Sequence, residues 1–400
     1  MMNTVLNRAL RIAVGTAFIF GSCLCSSGKA GGKDLPAWSP GTLDIHAISS
    51  GRGECYFIIC PDGTTILVDA GEMFTPSKKY AGVEPRPSAD VRPVELYAGY
   101  IRSVLPAICR DSIDYALLTH YHSDHLGQRD SSGFVALFSE IPYRRIINRS
   151  DLKIPGGLDV NRSYRLNDSA ASLDAYVSWL QDKDCEAFEL GSDSQFRLRY
   201  DAERYPGFGI RNLCVNGKVW TGDGVLDMYP DGGLRENGAS CGFLLHYGPF
   251  EYLSCGDAGN NGRVEIPLAR SIGHPITAMK AHHHLSWNTM TPEMLSILRP
   301  LIVISESFYS HQPDEPTLRN VLDSGADVYL TGVCDSSLED FPETFSRVRD
   351  YRGHFLIRVS RKGKRCRVFK LDDSSVTPRV IAVYDYTRPK SKYLRSQKSE

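Results

Sequence analysis

The segment LLTHYHSDHLG, residues 117–127, constrains this chain most, because four metal-capable side chains fall within a few positions. It follows directly on the apolar stretch IDYA, and the continuous run IDYALL predicts a buried strand. Imidazole and carboxylate groups suit zinc, manganese or iron, and backbone just past a strand end can turn several of them toward one point. We therefore predict a metal site in which His120 and His122 serve one ion while Asp124 and His125 face a second.

The overall composition is that of a folded protein with no strong electrostatic bias. With 400 residues and 42% hydrophobic content, the chain can bury a full core. Its length fits one large domain or two smaller ones. The net charge of −1 gives no global field that would attract a polyanion or an anionic membrane. Any contact with nucleic acid would therefore need a local basic patch.

The amino terminus, residues 1–30, has the layout of an export signal. Arg8 and Arg11 precede an apolar stretch that is shorter than the roughly 20 residues a spanning helix needs. Two processing sites compete: FGSC, ending at Cys23, resembles a lipoprotein box that would carry a lipid anchor, and GKA, ending at Ala30, resembles an ordinary cleavage site. We expect an exported protein, either periplasmic, anchored as a lipoprotein, or secreted. A short membrane anchor left in place is the alternative.

The cysteines give no sign of a zinc ribbon or a dense disulfide framework. The chain has 11 cysteines, without a CxxC pair or a regular spacing. Cys55 and Cys60 flank one predicted strand, and Cys241 and Cys255 flank another. We expect them to fill apolar space, with one or two disulfides in an oxidising compartment.

The order of predicted elements indicates an α/β fold over residues 41–372. Three β-rich runs precede the histidine cluster, and alternating helices and strands follow it, as in EPTLRNVLDSG and ADVYLTG. Residues 143–236 are polar and irregular, which predicts an insertion over or beside the site. Residues 387–400 form a basic tail that we expect to be mobile.

Further metal-capable residues follow other predicted strands. Asp69 ends TILVDAG, Asp257 ends YLSCGDAG, and three consecutive histidines, His282 to His284, follow ITAMKA. Each is weak evidence alone, because DAG or GDA is usually a turn and an isolated histidine is usually a surface or core group. Ligand sites in α/β folds commonly lie beyond strand ends, so their coincidence with the histidine cluster favours one shared site.

Together these motifs resemble those of the metallo-β-lactamase-fold hydrolases. Within that group the chain looks most like the extracytoplasmic metallohydrolase domain of ComEC competence proteins and its stand-alone relatives, over residues 43–368. The matching motifs are DAG, THYHSDHLG, ENGAS, GDAG, HHLS and SHQP. The resemblance implies a four-layer αββα sandwich and a metal-dependent hydrolase.

The resemblance also implies how the ligands are shared between the ions. His120 and His122 would hold one ion, Asp124 and His125 would hold the other with a late histidine, and Asp257 would bridge both. Alignment of HHLS with the family's HHGS selects His283 as the late ligand and His282 as the runner-up, although Leu285 stands where the family prefers glycine.

Other residues would act around the ions. Asp69 would hold a ligand ring or a backbone turn in place. Asp124 would also help to orient the attacking hydroxide, and His311 would donate to a substrate oxygen or stabilise developing charge. Asn237 and Ser240 belong to the Asn and Ser motif that ComEC-like members share, and we expect them to bind substrate.

The chain departs from the family pattern at one ligand. Many members place a further histidine between the HxHxDH cluster and the bridging aspartate, but here the one histidine in that interval is His246, next to a predicted turn. A histidine there should lie away from the strand-end site. One ion is therefore expected to be weakly held, or present only with substrate, and the number of ions stays at one or two.

The predicted function is a metal-dependent hydrolase that uses a metal-bound hydroxide, with zinc or manganese as the cofactor. The resemblance points to phosphodiesters, either small molecules or nucleic acid, as substrates. Arginines in RYDAERYPGFGIR and the basic tail are candidates for phosphate contacts, but a solvated face is the preferred explanation of these arginines, given the near-neutral net charge. The alternatives are a lactamase or carboxylic ester hydrolase, and a catalytically weak binding protein. No protein partner is evident.

Overall fold

The computed structural model describes residues 28–73, 82–128, 131–149, 170–259 and 261–387. Most of the predicted export leader lies outside the described residues, as do residues 150–169 of the predicted insertion and residues 388–400 of the basic tail. Within the described part, no helix has both the length and the apolar character that crossing a membrane requires.

The described residues form 19 strands and nine α-helices. The strands are β1 Gly28–Asp34, β2 Leu43–Ala47, β3 Tyr56–Ile59, β4 Thr65–Val68, β5 Ile113–Leu118, β6 Tyr143–Asn148, β7 Cys185–Ala187, β8 Phe208–Val215, β9 Lys218–Trp220, β10 Val225–Asp227, β11 Gly242–Tyr247, β12 Phe250–Ser254, β13 Ala278–Lys280, β14 Ile302–Ser305, β15 Asp327–Leu330, β16 Asp350–Tyr351, β17 His354–Val359, β18 Arg365–Leu371 and β19 Arg379–Thr387. The α-helices are α1 Pro93–Val104, α2 Ser123–Leu126, α3 Gly133–Glu140, α4 Ala170–Leu180, α5 Glu265–Ile272, α6 Pro292–Leu298, α7 Glu315–Asp323, α8 Asp335–Asp340 and α9 Pro342–Phe345.

The strands assemble into two large mixed sheets. The first sheet has the order β1, β19, β18, β17, β2, β3, β4, β5, β6, β7, and the second has the order β10, β9, β8, β11, β12, β13, β14, β15, β16. In the first sheet the pairing changes from antiparallel to parallel at β4, and in the second it changes at β12. Each sheet therefore has a parallel half, and inner strands of these halves, such as β5 and β14, are buried throughout and read as largely apolar runs in the sequence.

The two sheets pack face to face, and helices cover their outer faces. Side chains from both sheets form one core, in which Ile45 and Ile58 of the first sheet join Phe243 and Leu245 of the second. A second core lies under α1, α3 and α4, and a third lies under α5, α6 and α7. This arrangement confirms the predicted α/β class and its four-layer αββα order.

Most elements that the sequence predicted are present. The three β-rich runs form the meander β2, β3 and β4, the run IDYALL forms β5, and GFLLHYGPFEYLS forms the hairpin of β11 and β12. The segment EPTLRNVLD, predicted to be helical, is α7, and ELYAGYIRSV, SLDAYVSWL and PEMLSIL form α1, α4 and α6.

The predicted insertion, residues 143–236, differs from expectation. Its described residues supply β6 and β7 to the first sheet and β8, β9 and β10 to the second. Within this segment β8 is internal, because it pairs with both β9 and β11. Its polar character misled the prediction because short strands near a sheet edge need few apolar residues. The described residues of the segment are therefore part of the two sheets.

The cysteines behave as apolar filling. All nine that follow the predicted leader are free thiols, and all of them except Cys185 are buried. The one or two disulfides expected for an oxidising compartment are not formed among these described cysteines. Burial raises the pKa of Cys55, Cys60 and Cys241 well above the usual range, which keeps these thiols neutral.

Candidate metal centre

The histidine cluster begins where β5 ends and forms a first pair of facing ring nitrogens. Nε2 of His120 lies 3.2 Å from Nδ1 of His122. The His120 side chain is fully buried, whereas His122 is half-buried. Two nitrogen ligands of one tetrahedral zinc ion are about 3.3 Å apart when each bond is 2.0–2.1 Å long. The spacing of this pair is therefore that of two ligands of a single cation.

A second pair of facing ring nitrogens belongs to two histidines that follow strands of different sheets. Nε2 of His125, on the short helix α2, lies 3.2 Å from Nε2 of His284, which follows β13. Both rings are fully buried. Oδ2 of Asp124 lies 3.7 Å from the same nitrogen of His284. These three side chains offer two nitrogens and one carboxylate oxygen to a second cation.

The carboxylate of Asp257 lies between the two pairs. Its Oδ2 atom is 3.3 Å from Nε2 of His125, 3.4 Å from Nε2 of His284 and 3.8 Å from Nε2 of His120. The same oxygen is buried and makes no hydrogen bond to any described residue. Burial alone would raise the pKa of Asp257, but His284 and His125 outweigh it and hold the pKa well below the usual range. The group is therefore an anionic ligand that faces both pairs.

Asp69 fixes the orientation of one ligand ring. Its Oδ2 atom lies 2.8 Å from Nδ1 of His125, and its two oxygens also accept hydrogen bonds from the amide and hydroxyl of Thr119. The bond to Nδ1 leaves Nε2 of His125 directed at Asp257. Asp69 therefore contacts His125 on the side of the ring that faces away from Asp257.

A close approach of two backbone segments brings the Asp69 loop to α2. A Cβ atom on Gly71 would lie 1.7 Å from the carbonyl oxygen of Asp124, so only glycine fits there. The amide of Glu54 donates to the same carbonyl, and the amide of Ala70 donates to the carbonyl of His125. The DAG motif is thus explained by packing, because its glycine permits the contact that positions α2.

Among the three consecutive histidines, His282 to His284, the one that reaches His125 is not the one that the alignment selected. His284, not His283, reaches His125 and Asp124, so the geometry favours His284 as the late member of that group. His283 lies beside the cluster, with Nε2 at 3.8 Å from Oδ2 of Asp257. The runner-up, His282, points elsewhere, because its Nδ1 pairs with Glu265 at 2.7 Å. The alignment missed this because three consecutive left-handed residues shift which ring faces the site.

Asn237 and Ser240 were both predicted to bind substrate, but they lie at different places relative to the cluster. Asn237 is half-buried, and its amide nitrogen lies 3.0 Å from Nε2 of His283, so it borders the cluster. Ser240 is buried, and its hydroxyl accepts a hydrogen bond from the amide of Asp257 at 3.1 Å. Ser240 therefore supports the backbone of Asp257 from behind and does not present its hydroxyl to a substrate.

His311 is exposed and connects to the cluster through a row of rings. It stacks on Tyr309 at 5.4 Å between centroids, Tyr309 contacts Phe308 at 4.9 Å, and Phe308 contacts His284 at 4.6 Å. His311 thus lies at the surface, on the side of the cluster where β14 ends. His246 is exposed on β11, which agrees with the expectation that it lies away from the site.

Two buried charged residues under the cluster escaped the sequence reasoning. Nζ of Lys280 lies 3.0 Å from Glu54 and 3.4 Å from Oδ1 of Asp257, and both glutamate oxygens are buried. Burial would lower the pKa of Lys280, but Glu54 and Asp257 more than compensate and raise it. Glu54 also belongs, with His125, Asp257 and His284, to a group whose potential ligand atoms all lie within 4.8 Å of one another. Neither Glu54 nor Lys280 belongs to a metal-binding motif, so no pattern in the sequence singles out these two residues.

A buried ion pair holds the loop before β11 against the histidine loop. Arg149 makes a bidentate pair with Glu236 at 2.8 Å, and the same glutamate accepts the amide of Tyr121. The Arg149 guanidinium lies over the Tyr121 ring at 4.3 Å. These contacts fix the ENGAS segment beside His120, and they also occupy Arg149, which the sequence alone could have assigned to phosphate.

The residues present fit divalent cations. Two nitrogen pairs have the spacing of shared ligands, and a buried carboxylate oxygen without a hydrogen bond faces both of them. An unpartnered charged oxygen is costly in a protein interior, so its retention is explained most simply by a cation. The donor set of imidazole and carboxylate suits zinc, manganese or iron.

Comparisons with known proteins found likeness only among solved structures. No protein-family profile matches the chain, and no curated protein matches it. CmlA, a diiron β-hydroxylase from Streptomyces venezuelae, is 17% identical over 80% of this chain and 55% of that one, with a TM-score of 0.38. A diphosphatase of the PhnP family is 11% identical over 73% and 86%, with a TM-score of 0.31. Tm1679, a metal-dependent hydrolase of the β-lactamase superfamily, is 10% identical over 80% and 99%, with a TM-score of 0.37.

The chain spans about half the length of the matched CmlA structures. At these TM-scores the likenesses carry no argument of their own, and the function is inferred from the geometry of the site.

Proposed function

We propose that this protein is a metal-dependent hydrolase that binds one or two divalent cations. The observation that carries the proposal is the arrangement of two facing nitrogen pairs around Oδ2 of Asp257. His120 and His122 would hold one cation, and Asp124, His125 and His284 would hold the other, with Asp257 between them. A divalent ion bound in such a site lowers the pKa of a coordinated water toward about 7 and so supplies a nucleophile at neutral pH.

The chain's own residues have separate tasks in this proposal. Asp69 and Ser240 orient His125 and Asp257 from behind. Asp124 is slightly more exposed than Asp257, at 10% against 1% of the side chain, so it can also orient the attacking water and hold its proton. Asn237 borders the cluster and His311 lies at the surface beyond Tyr309 and Phe308, and both would donate hydrogen bonds to oxygens of a substrate large enough to reach them.

We propose phosphodiesters as the substrates, on the strength of the ENGAS, HHLS and SHQP motifs. The arginines of residues 199–211 do not add to that support, because each pairs with a carboxylate. Arg199 lies 3.2 Å from Asp114, and Arg211 lies 2.6 Å from Asp193. We assign these arginines to structural ion pairs, and the substrate phosphate would be bound by the cations and by donors at the rim of the site.

The proposal is tested with purified protein loaded with zinc or manganese. The substrates are bis-p-nitrophenyl phosphate, single-stranded DNA and nitrocefin, and we expect turnover of the first or the second. The variant His120→Ala should lose at least about 100-fold in turnover, since it removes a ligand. His246→Ala is the matched control, because that histidine is exposed on β11 and should leave turnover unchanged. Turnover of nitrocefin alone would favour a lactamase, and no turnover despite bound metal would favour a binding protein.

We also propose that the protein is exported, because residues 1–30 have the layout of a signal. The two processing sites predict different products: cleavage before Cys23 leaves β1 whole, whereas cleavage after Ala30 removes its first residues. Metabolic labelling with palmitate distinguishes them, since only the lipoprotein form incorporates label, and Cys23→Ala should abolish it. A protein that stays with the cytoplasm on fractionation would contradict export.

A further inference from the structure

His283 lies beside the cluster on an unusual stretch of backbone. His283, His284 and Leu285 have φ angles of 47°, 54° and 61°, in the left-handed region that residues other than glycine seldom adopt. Such conformations are unfavourable for residues other than glycine and persist where the surroundings require them. The result is that two consecutive rings face the same carboxylate, whereas consecutive residues of a strand would face opposite ways.

The two rings make different contacts. His284 reaches Asp124 and His125, the second group of donors. His283 instead contacts Asn237, with 3.0 Å between its Nε2 and the amide nitrogen. Its side chain is 24% exposed, while that of His284 is fully buried.

The segment that contains Asn237 is fixed to the other half of the cluster. The preceding Glu236 accepts the amide of Tyr121, which stands between His120 and His122 in the chain. The amide of Cys241 donates to the carbonyl of Thr119. His283 therefore meets a loop that is held on the side of the first histidine pair, and its Nε2 atom lies as far from Oδ2 of Asp257, 3.8 Å, as Nε2 of His120 does.

The first pair of histidines is short of donors. The second group has four protein donors, Asp124, His125, His284 and Asp257, and a zinc ion can add a water as a fifth ligand. His120, His122 and Asp257 supply three, and the one histidine between His125 and Asp257 in the sequence is the exposed His246. A further nitrogen must come from elsewhere in the chain if the site is to be completed by protein.

We propose that His283 is this missing ligand, so that two neighbouring histidines serve different cations: His283 with His120 and His122, and His284 with Asp124 and His125. The inference rests on the proposed function, because it presupposes that the cluster binds metal. Nε2 of His283 faces Oδ2 of Asp257 at 3.8 Å, the same distance as Nε2 of His120, so this nitrogen would bind the cation and the Asn237 amide would turn aside from it.

The test is a zinc titration of metal-free protein against a competing chelator, with the number of bound ions and each affinity as the readout. The first variant is His283→Asn, because asparagine adopts left-handed backbone angles more readily than most residues. The second variant is His283→Ala, which shows whether the result depends on the choice of replacement. His246→Ala is the matched control. We expect two ions in the unmodified chain and in the control, and a 10- to 100-fold weaker affinity for one ion in both His283 variants.

Double variants identify which ion is affected. The double variant His283→Asn with His120→Ala should still bind one zinc ion tightly, because both changes affect the same site. The double variant His283→Asn with His284→Ala should bind neither ion tightly, because each change affects a different site. Two ions with unchanged affinities in the His283 variants would overturn the inference and leave the proposed function intact. Loss of both ions on combining His283→Asn with His120→Ala would also overturn it. An unmodified chain that binds no zinc would overturn the proposed function itself, and the inference with it.

Discussion

Oδ2 of Asp69 lies 2.8 Å from Nδ1 of His125, and both side chains are fully buried. The aspartate follows β4 and the histidine lies on α2 after β5, so the contact joins the ends of two parallel strands. Because Nδ1 is engaged, the other nitrogen of the ring is left for Asp257 and His284. The DAG and HxHxDH motifs are thus linked by a hydrogen bond that sets the direction of a ligand.

The first prediction concerns this contact. Asp69→Asn keeps the shape of the side chain but replaces one acceptor oxygen with a donor group, so the ring of His125 loses its fixed orientation. We expect the affinity for one zinc ion to fall about 10- to 100-fold. The measurement is a chelator-competition titration of the purified variant.

The control for that change is Asp62→Asn. Asp62 is also a buried aspartate that accepts hydrogen bonds from backbone amides, but it lies in the turn after β3, away from the cluster. It should leave zinc affinity unchanged. If both variants bind zinc as tightly as the unmodified chain, Asp69 has no role in orienting a ligand.

A second prediction concerns Gly71. The change Gly71→Ala would place Cβ against the carbonyl of Asp124, so α2 must move, and we expect a loss of about 3 kcal/mol of unfolding free energy together with weaker metal binding. Gly325→Ala is the comparison, because Gly325 has a φ of +87° with open space around it. It should cost about 1 kcal/mol through backbone strain alone and leave the metal untouched. Urea denaturation of both variants measures the difference, and equal losses would contradict the packing account.

A third prediction concerns the buried lysine under the site. Lys280→Met removes the cation that faces Glu54 and Asp257, and we expect it to destabilise the metal-free protein by about 3–5 kcal/mol. Glu54→Gln in the same chain should restore part of the loss, because the uncompensated carboxylate is then gone. A double-mutant cycle by urea denaturation gives the coupling, expected at about 1–3 kcal/mol. Additive effects would show that Lys280 and Glu54 do not depend on each other.

A fourth prediction separates His311 from the metal ligands. His311→Ala should reduce turnover, because the residue would donate to substrate oxygens, and it should leave the metal content unchanged, because the side chain is exposed at the end of a row of rings. Metal analysis of the purified variant beside the turnover assay distinguishes these effects. Loss of metal in the variant would contradict the proposal that His311 binds substrate and not metal.

A fifth prediction concerns pH and His354, which is remote in sequence from the ligands. Burial lowers the pKa of His354 to about 3, and its Nδ1 accepts the amide of Ser49. In the unfolded chain the histidine pKa is about 6.5, so below that pH the unfolded state binds a proton that the folded state refuses. Its contribution to stability is therefore complete above pH 6.5 and is lost progressively as the pH falls toward 3.

The variant His354→Asn keeps an acceptor for Ser49 but cannot take up this proton. Between pH 7 and pH 5 the metal-free variant should lose about 1–2 kcal/mol less unfolding free energy than the unmodified chain. Urea denaturation at the two pH values measures this. Parallel losses in both proteins would mean that His354 does not contribute to acid destabilisation.

The fold was largely predictable because its signals are local. The run IDYALL is buried throughout β5, and the apolar spacing of α1 matches its buried face, so period and composition identified both elements. The internal strand β8 could not be predicted, because its partners lie far along the chain and its sequence, FGIRNLCV, mixes polar and apolar residues.

Site residues could be predicted where a short sequence motif identifies a single residue. They could not be predicted where backbone geometry determines which side chain faces the site. Asp69 and Asp257 were found because they end apolar runs. The choice between His283 and His284 depends on left-handed backbone angles that no spacing rule contains. Lys280 and Glu54 meet only because β13 ends beside the turn before β3, so neither sequence neighbourhood could predict the pair.

The most direct measurement is anomalous diffraction at the zinc edge from crystals of the zinc-loaded protein. We predict two anomalous peaks, one for each zinc ion, about 3.5–4 Å apart. One should be bonded to His120 and His122, the other to His125 and His284, with Asp257 touching both. Zinc-saturated crystals whose anomalous peaks all lie away from Asp257 would contradict the account.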